Sequence, residues 1–151
     1  MLSAMALRPD EWELWDSWVR AQRLLAQELD RGLQRDFGIS KAEFSVLMTL
    51  RRADQGRLRV GEIAESLDWE KSRVSHLLTR MEARGLVERP GGPGGRRTAI
   101  GLTAEGRHTV ESAVLGHGDN IRRHFFDSLT PEQAAAIRAW SSQWTDRPGP
   151  G

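Results

Sequence analysis

Two short amphipathic segments that follow one another closely constrain the fold of this chain more than any other feature. In each segment apolar residues recur at i, i+3, i+4 and i+7, a spacing that predicts a helix with one apolar face. These residues are Val60, Ile63, Ala64 and Leu67 in the first segment, and Val74, Leu77, Leu78 and Met81 in the second. Only Asp68-Trp69-Glu70 separates the segments, and Gly85 ends the second one. Two such helices with a tight link predict a helix-turn-helix.

A β-hairpin is predicted directly after this pair. Leu86-Val87-Glu88-Arg89 is a candidate strand, and the segment from Thr98 to Leu102 alternates apolar and polar residues in the manner of a second one. Segment 90–95 between them contains only proline and glycine, which excludes a helix or a central strand. Arg96 and Arg97 therefore lie where the chain turns back.

Two helices are predicted before the helix-turn-helix. Apolar and aromatic residues at alternating spacings of three and four indicate a helix from about Asp10 to Arg35, which Gly38 ends. The residues at these spacings are Trp15, Trp18, Leu25 and Leu29, together with the polar Gln22, and Leu33 continues the stripe. Ser40 and Glu43 have the spacing of a capping box, which predicts a second helix ending near Asp54.

Two further helices are predicted after the hairpin. Thr103 caps a helix that runs to about Ser128, with breaks expected at Gly116 and Gly118. Thr130-Pro131-Glu132-Gln133 starts a final helix that continues through Trp144, because proline is favoured at the first helical position. The fold class is therefore mainly α with a small β-wing.

Composition limits the class of protein. Apolar residues make up 38% of the 151 residues, which is typical of a folded domain and not of a disordered chain. The absence of cysteine excludes disulfides, thiolate metal sites and cysteine nucleophiles. No apolar run approaches the roughly 20 residues of a membrane helix. We expect a cytoplasmic protein without a membrane partner.

The basic residues are unevenly distributed. The net charge of the chain is +1, yet seven basic and three acidic residues lie between Glu70 and Arg97, which gives this segment +4. A basic segment inside a nearly neutral chain is typical of a nucleic-acid-binding surface. Arginine accounts for all basic residues except Lys41 and Lys71, and codon bias in a GC-rich genome explains such an excess equally well.

The chain resembles the MarR family of winged helix-turn-helix transcriptional regulators, and the likeness covers nearly its whole length. The segments that carry it are Val60-Gly61-Glu62-Ile63-Ala64, Ser72-Arg73-Val74-Ser75-His76, Arg80-Met81-Glu82-Ala83-Arg84-Gly85-Leu86-Val87, and Ile100-Gly101-Leu102-Thr103-Ala104-Glu105-Gly106. Their combination at these distances is more specific than any one of them.

The resemblance implies one domain over residues 1–151. Its winged helix-turn-helix lobe would span 40–103, its helical dimerisation arms 10–35 and 104–146, and its tail 147–151. The implied function is that of a sequence-specific regulator, a repressor that binds a pseudo-palindromic operator in double-stranded DNA as a homodimer. MarR-type proteins also bind small amphipathic or phenolic effectors between the arms and the lobe, and an effector of that class is expected here.

The candidate DNA-binding residues follow from helical geometry. With the apolar residues of the second segment buried, a step of 100° per residue places Ser72, His76, Thr79 and Arg80 on the opposite face, flanked by Arg73 and Ser75. Arginine can bond guanine bidentately, and hydroxyl and imidazole groups can contact base edges or phosphates. The full candidate set is Lys71, Ser72, Arg73, Ser75, His76, Thr79, Arg80, Arg96 and Arg97.

The wing departs from the family pattern at one position. Arg96 matches the family's wing-tip arginine, which enters the minor groove. MarR-type wings usually carry an aspartate two residues earlier that orients this arginine, and this chain has Gly94 there. The resemblance therefore predicts a looser wing.

Aromatic residues near both ends predict self-association. One small helix-turn-helix core cannot cover all of them, and uncovered apolar patches mark interfaces. They are Trp12, Trp15 and Trp18 in the first helix, and Phe125, Phe126, Leu129, Ile137, Trp140 and Trp144 in the last two. Arms paired about a two-fold axis would place two recognition helices one DNA turn apart.

The sequence gives less support to other functions. His117 and His124, with Asp119 nearby, suggest a metal site, but no His-x-x-x-His pair and no cysteine supports it, so no metal or other cofactor is expected. No Gly-x-Ser-x-Gly elbow and no P-loop occurs, so no catalytic residue is assigned and the protein is not expected to be an enzyme. A winged-helix module that binds proteins instead of DNA is the alternative.

Overall fold

The structure is a computed structural model that describes residues 6–90 and 99–149. The described chain forms six α-helices, namely α1 (Pro9–Phe37), α2 (Lys41–Arg52), α3 (Val60–Leu67), α4 (Lys71–Ala83), α5 (Ala104–His124) and α6 (Pro131–Thr145). Its three short strands are β1 (Arg57–Leu58), β2 (Val87–Glu88) and β3 (Ile100–Leu102). Within the residues described, no helix is both long enough and apolar enough to span a bilayer.

Helices α3 and α4 confirm the predicted helix-turn-helix. Asp68 adopts the left-handed conformation at φ 55°, and the N–H of Trp69 donates to the carbonyl of Ala64 at 2.9 Å, so the chain reverses within three residues. The apolar faces of both helices enter the core, where the four apolar residues of α4 are buried. The opposite face of α4 is thereby left to solvent.

The wing strands pair as predicted, and the sheet has one more strand than expected. β2 and β3 are antiparallel, with Val87 opposite Leu102, and β1 pairs with the other side of β3. β1 was not predicted because two residues cannot show an alternating pattern. The positive φ of Gln55 and Gly56 directs the chain into this strand.

The junction between α4 and α5 rests on two glycines. Gly85 has φ 76°, and the N–H of Leu86 donates to the carbonyl of Met81 at 3.0 Å, which closes α4 in a Schellman motif. The Thr103 side chain accepts from the N–H of Gly106 at 2.9 Å and so caps α5 as predicted. A Cβ at Gly106 would lie 1.9 Å from the carbonyl oxygen of Leu86, so only glycine fits this contact.

Helix α5 corrects one prediction. The helix passes through Gly116 and Gly118 without a break and ends at His124, and a 3-10 turn at Phe126–Ser128 follows it. Gly116 serves packing, since a Cβ there would lie 2.2 Å from a ring carbon of Phe37. The sequence pattern could not distinguish a glycine that breaks a helix from one that admits a neighbouring ring.

The remaining helix boundaries agree closely with prediction. The capping box predicted at Ser40 and Glu43 forms, and the predicted start of α6 carries another one, at Thr130 with Gln133. Helix α1 is one residue longer at its start and two longer at its end than expected, and α2 ends at Arg52, two residues early.

The chain divides into two compact units. One comprises residues 30–118 and contains every buried hydrophobic side chain of the described residues, in a core that extends from Leu33 to Ala113. The other comprises residues 1–29 and 119–151. In its described part only Asn120 is buried, so this unit has no hydrophobic core of its own.

Candidate nucleic-acid interface

The exposed face of α4 carries most of the predicted DNA-binding residues. The side chains of Lys71, Ser72, Arg73, His76, Thr79 and Arg80 are exposed, and Ser75 is half-buried. Helix α4 thus brings seven of the nine candidates to one surface. Arg96 and Arg97, together with Gly94, lie outside the described residues, so their roles stay predictions.

The hydroxyl of Thr79 on this face is already engaged in a hydrogen bond. The Thr79 hydroxyl donates to the carbonyl of Ser75 at 3.0 Å, which uses its only proton and leaves its oxygen as an acceptor. A base-edge contact by Thr79 in this rotamer would therefore be to a donor group, such as the amino group of cytosine or adenine.

The first turn of α4 is open to an anion. Glu70 is the residue before the helix, and its side chain makes no capping hydrogen bond. The first hydrogen bond of the helix runs from Val74 N–H to the Glu70 carbonyl at 3.2 Å, so the N–H groups of Lys71, Ser72 and Arg73 precede the intrahelical ladder. Backbone amides in this position bind phosphate well.

Two of the basic residues in segment 70–97 are already neutralised. The Arg84 guanidinium donates to the Glu43 carboxylate and to the carbonyl of Gly38, which ties the end of α4 to the start of α2. Arg89 Nε lies 3.0 Å from a carboxylate oxygen of Glu82. These arginines hold the lobe together and are poorly placed to neutralise DNA.

The basic residues on the exposed face of α4 differ from Arg84 and Arg89. Within residues 6–90 and 99–149, Lys71, Arg73 and Arg80 form no ion pair with a carboxylate. Their charge is therefore uncompensated on one side of the helix. A local excess of positive charge attracts a polyanion and accelerates its association.

Arg73 has an aromatic neighbour that sequence reasoning did not assign to the site. Its guanidinium carbon lies 4.2 Å from the ring centroid of Trp69, in the turn between α3 and α4. The sequence places Trp69 four residues before Arg73, a spacing that could have suggested the contact.

His117 is a separate feature of the 30–118 unit. Its ring packs at 5.0 Å against that of Phe44, and its buried Nδ1 atom has no hydrogen-bond partner among the described residues. Burial lowers the pKa of this imidazole, Lys41 lowers it further, and Asp30 opposes the shift. No group of three potential metal ligands occurs in the described parts of the chain.

A second candidate surface is apolar and belongs to the other unit. A groove of about 530 Å³ lies between α1 and α6. Among the described residues, Glu11 is its only ionisable lining residue, and the rest of that lining consists of Leu7, Leu14, Trp15, Trp18, Ala136, Ile137 and Trp140. Trp18 and Trp140 meet edge to face at 6.0 Å, so aromatic packing joins the two helices.

Comparison with known proteins identifies relatives of this chain. Residues 37–98 match a model of the MarR family. The chain is 33% identical over 110 residues to the transcriptional repressor MdtR of Bacillus subtilis. This alignment covers 70% of this chain and 69% of MdtR. The chain is also 30% identical over 96 residues to the transcriptional regulator HosA of Escherichia coli O111:H-. This alignment covers 63% of this chain and 69% of HosA.

Solved structures agree over nearly the full length. Sco3205, a MarR family transcriptional regulator from Streptomyces coelicolor solved in complex with DNA, superposes with a TM-score of 0.80 at 33% identity, covering 97% of this chain and 94% of Sco3205. AbsC, a MarR family transcriptional regulator from the same organism, gives a TM-score of 0.75 at 30% identity, covering 94% of this chain and 99% of AbsC.

Proposed function

Because this chain belongs to the MarR family of transcriptional regulators, we propose that it binds a pseudo-palindromic operator in double-stranded DNA as a homodimer. Helix α4 enters the major groove, and the wing follows the backbone into the minor groove. The observation that carries this proposal is the face of α4, which presents Lys71, Arg73 and Arg80 without carboxylate partners in the described chain.

The two kinds of contact divide along α4. Arg73 lies in the first turn, next to Ser72, and reaches the edge of a guanine, while the free amides beside them take a phosphate. Arg80 lies two turns further on and neutralises the backbone. Phosphate contacts fix the register, and base contacts provide specificity. Arg96 and Arg97 of the wing add minor-groove contacts in this proposal.

The homodimer is supported by the unit formed by residues 1–29 and 119–151. Its described hydrophobic side chains are at best half-buried, and Trp12, Trp15, Trp140 and Trp144 each remain about half exposed. An apolar surface of this extent is typical of an interface. A second copy would cover it, so that 10–35 and 104–146 act as dimerisation arms and 40–103 as the DNA-binding lobe.

The proposal extends to the effect of binding, its release and its cellular site. Binding represses transcription, as the name of MdtR implies for that relative. A small amphipathic or phenolic effector releases the DNA. The protein acts without catalysis, in the cytoplasm, where its operator is accessible.

Salt dependence tests DNA binding against the alternative of a protein-binding module. We expect the affinity for a labelled duplex, followed by fluorescence anisotropy, to fall steeply as salt rises, because phosphate contacts release counterions. Arg80→Glu should weaken binding and flatten this dependence. Arg147→Glu makes the same change of charge outside α4 and should bind as the wild type does. If the protein does not bind the duplex at low salt, or if its affinity for the duplex does not change with salt concentration, the protein-binding module would be favoured.

A further inference from the structure

Trp69 lies in the turn of the helix-turn-helix, where its position is fixed from two sides. Its backbone N–H donates to the carbonyl of Ala64 at 2.9 Å, and its half-buried indole ring packs against the hydrophobic core. The ring is therefore a rigid surface at the start of α4. The left-handed residue Asp68 before it holds the turn.

The guanidinium of Arg73 lies over this ring, with its central carbon 4.2 Å from the ring centroid. A cation over an indole face is attracted by the ring quadrupole, and tryptophan is the most effective ring for this contact. An unsupported arginine on an exposed helix face would populate many rotamers. Contact with Trp69 reduces that freedom before any ligand arrives.

An aromatic partner differs from a carboxylate in what it leaves available. A carboxylate would occupy N–H donors of the guanidinium and cancel its charge, whereas the ring offers no lone pairs for those donors. Arg73 forms no ion pair with the described carboxylates, so its planar set of donors and its full charge remain. Those are the properties required for a bidentate bond to the O6 and N7 atoms of guanine.

We propose that Trp69 is a specificity-determining positioning residue, which holds the Arg73 guanidinium in the orientation that reads a guanine in each half-site. This inference rests on the proposed DNA binding and adds a residue that touches no DNA itself. Trp69 acts through Arg73 alone, so removing the ring lowers discrimination between base pairs more than it lowers affinity for DNA in general.

The test uses full-length protein and a duplex recovered from a random pool by the wild type, together with single base-pair variants and a scrambled duplex. Trp69→Leu keeps an apolar side chain and removes the ring face. Discrimination at the base pair that depends on Arg73 should fall about two- to fivefold, the range of an exposed cation–π contact. Affinity for the scrambled duplex and the salt dependence should stay unchanged.

Two comparisons separate positioning from a merely structural role. In an Arg73→Ala background Trp69→Leu should cause no further loss of discrimination, since the two residues act as one unit. Trp69→Phe, which keeps a smaller ring, should retain part of the discrimination. Arg147→Ala disrupts the second arginine–tryptophan stack, in which Arg147 lies 3.9 Å over Trp144, and should leave discrimination as it is in the wild type.

A measurement without DNA keeps the inference testable if Trp69→Leu does not fold. NMR relaxation of the Arg73 Nε–H group should show a loss of order in Trp69→Phe and a larger one in Trp69→Leu where that variant folds. Unchanged order in Trp69→Phe would overturn the positioning role.

The outcomes distinguish this inference from the proposed function. The role of Trp69 would be overturned, while DNA binding stands, if Trp69→Leu discriminates between base pairs as well as the wild type does. It would also be overturned if Trp69→Leu reduces discrimination further in the Arg73→Ala background. Tighter, equally selective binding by Trp69→Leu would show that the ring withholds Arg73, which also overturns it. If the wild type recovers no duplex, or if Arg73→Ala changes nothing, the proposed function of α4 fails and the inference fails with it.

Discussion

Basic residues close together in the sequence have different roles in the folded lobe. Arg84 and Arg89 form ion pairs with Glu43 and Glu82, whereas Arg73 and Arg80 present their charge on the exposed face of α4. A count of charge over residues 70–97 cannot make this distinction, because the partners of an arginine depend on the tertiary fold. The face of α4 itself was predictable, since it follows from the helical period alone.

Arg73 and Arg80 should respond differently to truncation. Arg73→Ala should cost about 1–3 kcal/mol of binding free energy and relax base preference at one symmetric position, because it removes a base contact. Arg80→Ala should weaken binding to all sequences alike and reduce the salt slope by about 1, because it removes a phosphate contact. Anisotropy titrations over a series of base-substituted duplexes measure both. An Arg73→Ala protein with native affinity and preference would contradict the assignment of α4.

His117 should make folding stability depend on pH. Its folded-state pKa is depressed below 6.5, chiefly by burial, so the unfolded chain binds more protons as the pH falls through 6.5 towards the folded value. The contribution of neutral His117 to folding stability is therefore fully present above about pH 6.5, and it is lost as the pH falls from 6.5 to the folded-state pKa. His117→Gln should flatten the fall in urea midpoint between about pH 7.5 and the acid limit of folding.

Exposed His108 on the same helix provides the matched control for this pH experiment. His108→Gln should leave the pH profile of the urea midpoint close to that of the wild type. A His117→Gln protein whose midpoint falls with acid as steeply as the wild type would refute the role of His117.

At the scale of elements, the sequence predicted most of the secondary structure and missed features set by tertiary contact. Capping boxes and apolar periodicity are local signals, and they located α2, α3, α4 and α6 to within a few residues. The two-residue strand β1 exists only through its pairing with β3. Gly116 was read as a break because the ring of Phe37 that fills the space beside it is distant in sequence.

The junction of the wing and α5 gives a prediction for folding stability. Gly106→Ala should destabilise the protein by about 1–3 kcal/mol, because the added Cβ would meet the Leu86 carbonyl oxygen and the backbone must shift. At Gly118 on the same helix an added Cβ would meet no atom of the described residues beyond its own helical turn and chain neighbours within 4 Å, so Gly118→Ala should stabilise by up to about 1 kcal/mol through helix propensity. Urea unfolding of both variants checks the pair. Equal effects of the two substitutions would show that the close contact at Gly106 is absent.

At the scale of the whole molecule, the distribution of burial bears on association. The unit of residues 30–118 contains the hydrophobic core, and the unit of residues 1–29 and 119–151 has no buried hydrophobic side chain in its described part. The sequence indicated this imbalance through its aromatic residues near both ends. It could not indicate which of them a single chain would cover.

We expect a homodimer in solution. Sedimentation equilibrium at micromolar concentration should give a mass near twice the 17.0 kDa of one chain, because a second copy covers the exposed tryptophans. Trp15→Glu places a charge on this surface and should shift the equilibrium towards monomer, whereas Trp15→Phe should remain dimeric. A wild-type mass near 17.0 kDa would contradict the dimer.

Selection of bound duplexes from a random DNA pool by the full-length protein reports on DNA binding and on the symmetry of the complex in one experiment. We expect a pseudo-palindromic consensus whose half-site centres lie about 10 to 10.5 base pairs apart, or a multiple of that distance. Arg73→Ala should recover the same spacing with one symmetric position relaxed. A pool without enrichment, or a consensus with a single asymmetric half-site, would show that the protein does not bind a palindromic operator as a homodimer.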